Sequence, residues 1–196
     1  MIISEDLLLA YGADYETYKV HEVIFHEGNL PKFYFQIVSG VVELKNYHED
    51  GKEFTQNILY EGQSLGESFL FDDRYYPTNA TAKTECTILK LSKNDFLDLL
   101  KQHQEVCSGM FRWLADRLYD KYIMLFNISS PDPCSKIKTV MDHLKGNTGG
   151  KYSFQIPLTR QQLANLTGLR VETVIRTIKK MHNNHQLKIE NRKIYY

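Results

Sequence analysis

The sequence predicts an α+β fold in which an N-terminal β-roll, a double-stranded β-helix or jelly roll, is followed by a long helix and a C-terminal winged helix-turn-helix. Three observations support this prediction. Residues 20–91 contain many short runs rich in β-branched and aromatic residues, separated by turn signals. Residues 103–128 carry apolar residues at helical intervals. Residues 159–196 contain two helical patterns separated by a glycine, and then a terminal hairpin pattern.

The bulk composition is that of a globular protein with one large domain or two modest ones. The chain has 196 residues, of which 42% are hydrophobic and 24% are charged, and these values exclude a disordered or fibrous protein. We find no apolar run of about 18 residues and no basic-then-apolar leader, so we expect a cytoplasmic protein without a membrane segment. The three cysteines are widely spaced and form no CxxC pair, which argues against a disulfide framework and against a zinc or iron-sulfur cluster.

The strand-rich region is predicted to be the first domain, residues 1–101. Asp50-Gly51, between VVELKNY and KEFTQNILY, is a strong hairpin signal, because glycine tolerates the positive φ of tight hairpin turns. No Rossmann, phosphate-loop or catalytic-triad spacing occurs in this region. A metal-dependent enzyme of the cupin type would need histidines and carboxylates that converge on a metal, and the scattered histidines show no such spacing. We therefore expect no enzymatic activity, no metal and no cofactor.

Two helices are predicted next. Ser92 is the predicted N-cap of a short helix that runs to Leu100. The second, residues 103–128, has an apolar stripe that could pack on the roll or pair with its own copy as a coiled coil. The stripe consists of Val106, Met110, Trp113, Leu114, Leu118, Met124, Leu125 and Ile128. We favour a homodimer through this helix, because a stripe this wide can serve both surfaces, although Arg117 and Lys121 interrupt it.

The segment SSPDPC, residues 129–134, is predicted to end the long helix, because two prolines within three residues make a stiff, non-helical joint. Residues 102–131 are therefore predicted to form the dimerisation helix and a hinge, and residues 132–196 the C-terminal domain. A short amphipathic helix is expected from Ser135 to Lys145.

The two helical patterns near the C-terminus have clear boundaries. Thr159 and Gln162 form a capping-box pattern, so a helix should begin there, and Gly168 should end it in the left-handed conformation. A second helix is expected from about Arg170 to His182. Its core face is predicted to consist of three apolar residues at i, i+4 and i+7, namely Val174, Ile178 and Met181.

The opposite face of this second helix carries Glu172, Ile175, Arg176 and Lys179, which predicts that the helix enters a DNA major groove. Arg176 can bind guanine O6 and N7 with two hydrogen bonds, and Glu172 can accept from cytosine N4. Ile175 could touch a thymine methyl. The alternative is a surface pair between Glu172 and Arg176, worth only about 0.3 to 0.5 kcal/mol.

The charge distribution also points to nucleic acid. Residues 151–196 contain nine Lys or Arg and two acids, a net charge of +7, and the remainder must carry −7 because the whole chain is neutral. A basic module on an acidic body is typical of a nucleic-acid reader, although a solvated basic face would give the same count. Predicted phosphate contacts lie at or beside the helix starts: Thr159, Arg160, Gln161, Arg170 and Thr173.

Over nearly its whole length the chain resembles the Crp/Fnr family of bacterial transcription regulators. The segment LTRQQLANLTGLRVETVIRTIKKM is similar to the family's winged helix-turn-helix, with its E-x-x-x-R pattern at Glu172 and Arg176. FHEGN, YFQIVSGVVEL, EDGKEF, GQSLGESFLF and AKTECTILKLSKNDF are similar to its cyclic-nucleotide-binding-type β-roll. The resemblance implies a homodimeric, sequence-specific regulator that reads a pseudo-palindromic site in double-stranded DNA and senses an effector through its N-terminal domain. It also implies RNA polymerase as a further partner.

The sequence departs from the family at the effector site. Family members that bind cyclic nucleotides use a Gly-Glu pair for the ribose and an Arg-Ser pair for the phosphate. Gly66-Glu67-Ser68 matches the first pair, whereas the second aligns with Tyr76 and Pro77, so the fixed cation is missing. We therefore expect that cyclic AMP is not bound in the family's usual way and leave the effector unidentified. The candidate pocket residues are Gly66, Glu67, Ser68, Arg74, Thr78, Lys121 and Tyr122.

Two further points stay open at this stage. Leu169-Arg170-Val171 supplies no capping oxygen where the family usually has Ser, so the base read from that end of the helix is not predicted. A second class of function is a ligand-binding sensor module that acts by protein–protein docking without DNA. Salt dependence separates the two classes, because DNA binding weakens steeply as salt rises.

Overall fold

A computed structural model of the chain describes residues 1–72, 74–146 and 149–196, apart from the side chains of residues 127 and 128. The chain divides into two compact units, Met1–Arg117 and Leu118–Tyr196. This boundary falls inside the long helix, whereas the predicted domain limits lie at residues 101 and 131, and those limits remain predictions. The predicted fold class is confirmed, since a strand-rich N-terminal unit, a long helix and a helix-turn-helix follow one another along the chain.

The described part of the first unit contains eight strands in two four-stranded antiparallel sheets. In chain order they are β1 Asp14–Tyr18, β2 Val23–Phe25, β3 Phe33–Ser39, β4 Val42–Tyr47, β5 Glu53–Leu59, β6 Ser64–Leu65, β7 Asn79–Ala82 and β8 Cys86–Ser92. One sheet has the order β1-β8-β3-β6 and the other β2-β7-β4-β5. Strand residues alternate between the two faces of a sheet. Phe35, Ile88, Leu44 and Ala80 therefore point into one core that both sheets share.

The predicted hairpin at Asp50-Gly51 is confirmed. Strands β4 and β5 pair antiparallel, with Tyr47 opposite Glu53. Gly51 has φ +79°, a conformation that is sterically costly for residues with a side chain. Its N–H donates to the carbonyl oxygen of His48 at 2.8 Å and closes the turn.

In the described part of the first unit, three α-helices lie wholly or partly within it: α1 Glu5–Ala10, α2 Lys93–Gln102 and α3 Gln104–Ser129. A short 3₁₀ helix spans Glu67–Leu70. Ser92 is confirmed as the N-cap of α2, since its Oγ accepts from the N–H of Asp95 at 3.2 Å. Helix residues Phe96 and Met110 pack with the strand residues Tyr34 and Leu89 in a second core. No helix in the described ranges is long and apolar enough to cross a membrane.

The second unit contains the rest of α3, the helices α4 Pro133–Lys145, α5 Arg160–Thr167 and α6 Val171–Asn183, and the strands β9 Lys188–Glu190 and β10 Lys193–Tyr195. The strands form the predicted terminal hairpin. The three helices bury an apolar core that includes Ile137, Met141, Leu163, Val174 and Ile178. Residues 154 and 156 also hydrogen-bond to the last strand, which ties the preceding loop to the hairpin.

Helix α4 begins two residues earlier than predicted. The predicted start was Ser135, but Pro133 occupies the first turn, where a missing N–H does no harm. Asp132 is the N-cap, and its carboxylate accepts from the N–H groups of Ser135 at 2.9 Å and Cys134 at 3.2 Å. The hydroxyl of Ser135, followed by these N–H groups, lowers the pKa of Asp132 from its ordinary value.

Candidate nucleic-acid interface and effector pocket

The helix-turn-helix has the predicted local geometry. Thr159 Oγ1 accepts from the N–H of Gln162 at 3.2 Å, and the Gln162 side chain accepts from the N–H of Thr159 at 2.8 Å, so the capping box is confirmed. Gly168 ends α5 with φ +67°, as predicted. The N–H of Leu169 then bonds to the carbonyl oxygen of Ala164 at 3.2 Å. These bonds fix the turn from which α6 departs.

Helix α6 separates a buried face from an exposed one. The predicted core residues Val174, Ile178 and Met181 are all buried. Glu172, Arg176 and Lys179 are exposed, and Ile175 is 42% exposed, which is unusual for a large apolar side chain. The exposed face thus presents one acid, two cations and one apolar side chain, which are side-chain types that can contact base edges.

Glu172 and Arg176 do not pair with each other. Among the described residues neither side chain takes part in an ion pair. The alternative of a Glu172–Arg176 surface pair is therefore not realised in this structure. Both side chains can meet a partner outside the chain without first breaking an internal bond.

The predicted phosphate contacts have different surroundings. Thr159 is exposed but its hydroxyl serves the capping box, and Gln161 donates from Nε2 to Asn165 Oδ1 at 2.9 Å. Arg170 is the N-cap of α6 and makes no side-chain capping bond, as its sequence predicts. Thr173 is half-buried in the first turn of α6. Whether these residues contact phosphate stays a prediction.

Arg160 has an internal partner. Its Nη1 donates to the carbonyl oxygen of Arg192, in the turn between β9 and β10. Asn191 and Arg192 have φ +48° and +63°, as in a two-residue type I′ hairpin turn. Arg192 therefore sits in a left-handed conformation that is costly for a residue with a side chain, and the bond from Arg160 helps to hold it there.

A groove of about 470 Å³ lies between α6 and this hairpin. Ile175, Ile178 and Ile189 supply apolar surface, and cations line it with them: Arg160, Lys179 and Arg192. Ile189 and Arg192 were not among the residues predicted to contact DNA. The only available signal was their place in the terminal hairpin pattern, which says nothing about proximity to α6.

The predicted effector pocket is occupied by an aromatic ring. Gly66 has φ +76°, and a Cβ built on it would lie 2.9 Å from Tyr76 Cε1. Tyr76 is buried and stacks on Phe25 with ring centroids 3.8 Å apart. It also meets Phe69 edge to face at 5.9 Å. Tyr76 is one of the two residues that align with the family's phosphate-binding pair, so apolar packing stands where a cation is expected.

Glu67 is fully buried and pairs with a residue that the sequence analysis did not assign to the pocket. Arg117 Nη1 lies 2.5 Å from Glu67 Oε1, and the Arg117 side chain is 19% exposed. The same nitrogen donates to the carbonyl oxygen of Ser64 at 3.4 Å. Arg117 was noted only as an interruption of the apolar stripe of α3, and a cation within such a stripe is the signal that could have identified it.

Some buried polar atoms in this ion pair and in neighbouring side chains have no hydrogen-bond partner in the described part of the chain. Within the described residues, Glu67 Oε2, Tyr76 Oη and Trp113 Nε1 are buried without a hydrogen bond. Burial, followed by the charge of Glu67, raises the pKa of the Tyr76 hydroxyl above its ordinary value. Buried polar atoms without partners commonly mark a place for water or a polar ligand.

The remaining predicted pocket residues are dispersed. The Arg74 side chain is 84% exposed and its Nε lies 3.1 Å from Asp72 Oδ2, so it does not serve as a substitute cation for the buried pocket. Ser68 is exposed. Thr78 is buried and donates to the carbonyl oxygen of Lys45 at 3.0 Å. Lys121 and Tyr122 belong to the second unit, on α3, and both are exposed.

The long helix carries apolar residues on two faces. Met110, Trp113 and Leu114 pack in the second core of the first unit, together with α1 and α2. Six other apolar or aromatic side chains on this helix are more than half exposed: Phe111, Leu118, Tyr119, Tyr122, Leu125 and Phe126. Leu118 and Leu125 were part of the predicted stripe, whereas Phe111, Tyr119 and Phe126 were not.

No metal site is found in the ranges that the structure describes, because no three His, Cys, Asp or Glu side chains come close enough to share an ion.

Comparison with known protein families gives two matches. A family model described as "Cyclic nucleotide-binding domain" matches residues 15–103, and one described as "Crp-like helix-turn-helix domain" matches residues 137–195. Together they cover about three quarters of the chain.

Two curated relatives align over most of the chain. The cAMP-activated global transcriptional regulator CRP of Pasteurella multocida is 25% identical over 181 residues, which cover 90% of this chain and 87% of the relative. The cyclic AMP receptor protein of Thermus thermophilus is 29% identical over 173 residues, which cover 88% of this chain and 78% of the relative.

Solved structures of other proteins superpose on this chain over most of its length. The c-di-GMP-responsive global regulator CLP of Xanthomonas campestris superposes with a TM-score of 0.80 at 20% identity, covering 97% of this chain and 96% of that protein. FixK2 of Bradyrhizobium japonicum superposes with a TM-score of 0.77 at 17% identity, covering 93% of this chain and 91% of that protein. At these identities the likeness shows the fold alone.

Proposed function

The chain belongs to the Crp/Fnr family of transcription regulators, and we propose that it works as a homodimer that reads a two-fold-symmetric DNA site through helix α6. The observation that carries this proposal is the exposed face of α6, where Glu172 and Arg176 stand one turn apart without pairing to each other. An acid is costly near phosphates, so Glu172 in a basic unit is best explained by a hydrogen bond to a base.

The exposed seam of α3 supports the dimer. Phe111, Leu118 and Leu125 recur at intervals of seven residues, and Tyr122 lies between the last two. A seven-residue apolar repeat on a helix is the pattern that pairs with a second helix in a coiled coil. Exposed side chains of this kind would gain most from burial against a second copy. In such a dimer, we expect the two α6 helices to enter successive major grooves about 34 Å apart.

The dimer is tested by sedimentation velocity of two matched variants. Leu118→Glu places a charge in the seam, and we expect it to shift the protein from dimer to monomer at micromolar concentration. Leu9→Glu makes the same change at an exposed leucine of α1 and should leave the dimer intact. Dimers of equal stability in both variants would contradict the proposed role of α3.

We propose that the N-terminal unit senses an effector but does not bind cyclic AMP in the family's usual way. A buried Tyr76 ring packs against Gly66, and Arg117 already pairs with Glu67. A cyclic phosphate would find no fixed cation at the aligned position. Titration calorimetry with cyclic AMP should therefore give no binding at concentrations that saturate a cyclic-AMP-activated relative, and saturable binding at one site per chain would overturn this part of the proposal.

DNA reading is tested by selection from a randomised pool with no ligand added. We expect a two-fold-symmetric site with a G·C pair in each half, and binding that weakens steeply with salt because phosphate contacts release counterions. Absence of both enrichment and salt-dependent binding to any DNA would refute the proposal and leave the protein-docking alternative. A protein that reads DNA in this way is expected to work in the cytoplasm, and RNA polymerase as a further partner stays a prediction.

A further inference from the structure

A second cavity opens in the β-roll beside Tyr76. Its volume is about 530 Å³, within the usual range for a small-molecule site. It shares Phe25 and Tyr76 with the surroundings of Gly66, but neither Gly66 nor Glu67 lines it. It therefore lies beside the predicted effector pocket and shares with it Tyr76, one of the two residues that align with the family's phosphate-binding pair.

Aromatic side chains form a large part of the wall of this cavity. Five of its twelve lining residues are phenylalanine or tyrosine: Phe25, Phe33, Phe35, Tyr75 and Tyr76. Phe25, Phe35 and Tyr76 are buried, whereas Tyr75 is well exposed, as is the neighbouring Leu30. The exposed apolar side chains at the mouth of the cavity form one continuous apolar surface with its aromatic walls. A continuous apolar surface of this kind is typical of a binding site, whereas single apolar residues scattered over a protein surface are not.

The charged side chains that line the cavity are both lysines. None of its lining residues is acidic, and both of its lysines, Lys32 and Lys90, are cationic. Lys90 Nζ lies 2.8 Å from Glu16 Oε1 and 4.2 Å from the centre of the Phe33 ring, so its charge is already engaged. Lys32 is exposed, and in the described ranges its side chain makes no ion pair. The charge that a ligand can use is therefore that of Lys32.

We propose that this cavity binds a small planar aromatic anion, with its ring among the five aromatic side chains and its carboxylate at Lys32. Offset or edge-to-face contacts with several rings favour a flat aromatic ligand over an aliphatic one. A lysine at the rim favours an anion through a charge-assisted hydrogen bond. The inference rests on the proposed role of this unit as a sensor, and it names the class of effector.

Tyr76 connects this cavity to the long helix. One face of its ring stacks on Phe25, which also lines the cavity, and its edge lies against Gly66. Glu67 follows Gly66 and bonds to Arg117 on α3. A ligand that moves Tyr76 would therefore disturb the Glu67–Arg117 pair and shift the balance between arrangements of α3.

The test uses naphthoate and its neutral analogue naphthylmethanol as probes, added to the full-length protein without DNA and followed by titration calorimetry. We expect naphthoate to bind at one site per chain and naphthylmethanol to bind about tenfold more weakly, because the analogue lacks the charge-assisted bond. Lys32→Gln should weaken naphthoate about tenfold and leave naphthylmethanol unchanged. The control Lys101→Gln, on the exposed side of α2, should change neither.

A second variant locates the ring. Tyr75→Ala removes an exposed wall of the cavity, and both probes should weaken by a similar factor. Three results would overturn the inference. The first is no binding of naphthoate at millimolar concentration, and the second is equal affinity for the two probes. The third is an affinity for naphthoate that neither Lys32→Gln nor Tyr75→Ala changes. Because no DNA is present, failure here leaves the proposed DNA reading standing, and failure of DNA selection leaves this site standing.

Discussion

Removal of the Arg117 guanidinium would leave the Glu67 carboxylate buried without its counter-charge. Arg117→Met keeps most of the aliphatic stem and deletes the charge. Glu67 has no exposed side-chain surface, and Nη1 lies 2.5 Å from Oε1, so the deletion removes the counter-charge that lies in direct contact with the buried carboxylate. Breaking a buried pair in this way costs about 3 to 5 kcal/mol. Domain stabilities are about 5 to 15 kcal/mol, so the loss is a large fraction of the total.

The assay is urea unfolding followed by the fluorescence of Trp113, the single tryptophan of the chain. Trp113 lies one turn before Arg117, whose Cζ is 5.8 Å from its ring centre. The protein concentration is held constant, because association adds to apparent stability. Arg112→Met, at an exposed position of the same helix, is the matched control and should cost less than about 0.5 kcal/mol.

The double variant Glu67→Met/Arg117→Met completes the test. Replacing both members of a buried pair by apolar side chains is often close to neutral, so the double variant should be more stable than Arg117→Met alone. A loss below about 1 kcal/mol for Arg117→Met, as for a surface pair, would refute the reasoning. A double variant that loses the sum of the two single losses would do the same, because it would show no coupling.

Three further predictions concern backbone geometry and pH. Gly66→Ala and Gly51→Ala both place a side chain at positive φ, at a cost of about 1 to 2 kcal/mol, but only the first meets Tyr76. In urea unfolding, Gly66→Ala should therefore lower the free energy of unfolding by about 1 to 3 kcal/mol more than Gly51→Ala does. Equal losses in the two variants would show that the Tyr76 ring does not pack against Gly66. Arg192→Gly should stabilise the second unit by about 1 kcal/mol, since glycine adopts φ +63° freely, while DNA affinity falls with the lost cation; a lower unfolding temperature by circular dichroism would contradict this. The Ser135 hydroxyl and the N–H groups at the start of α4 lower the pKa of Asp132 in the folded protein. The stabilisation of the fold by the ionised Asp132 is therefore fully present above the unfolded pKa of about 3.8 and is lost as pH falls through the folded pKa. Asp132→Asn should thus be less stable than the natural protein near neutral pH, with a gap that narrows below pH 3.8, and a gap that is constant with pH would refute the assignment.

The features that the sequence predicted well are governed by local chemistry. The Ser92 cap, the Thr159 and Gln162 capping box and the left-handed Gly168 each depend on bonds within a few residues. The core face of α6 follows from helical periodicity alone. These features could be predicted because neither a cap nor a helical stripe requires knowledge of distant parts of the chain.

The features that the sequence missed depend on distant contacts. Arg117 and Glu67 are 50 residues apart, so nothing local marks them as partners. The exposed seam residue Phe111 could not be separated from the buried Met110 without knowing which side of α3 packs in the second core. The identity of Tyr76 showed that the aligned phosphate-binding position has no cation. The packing of its ring on Gly66 could not be predicted, because it depends on how the chain folds.

The start of α4 was missed for a different reason. The two prolines of residues 131–133 were interpreted as a break, yet the second of them begins the helix. Proline is compatible with the first turn of a helix because its fixed φ suits that position. Asp132, an N-cap residue type directly before Pro133, is the local signal that favours the earlier start.

We propose that Arg176 reads a base through its guanidinium. A binding experiment on three DNAs tests this role: the selected site, the same site with its G·C pair replaced in each half, and random DNA. Compared with the natural protein, Arg176→Ala should lose about 1 to 3 kcal/mol of discrimination at that pair and keep discrimination elsewhere. An equal loss of affinity on all three DNAs would show that Arg176 contacts only phosphate and does not read a base.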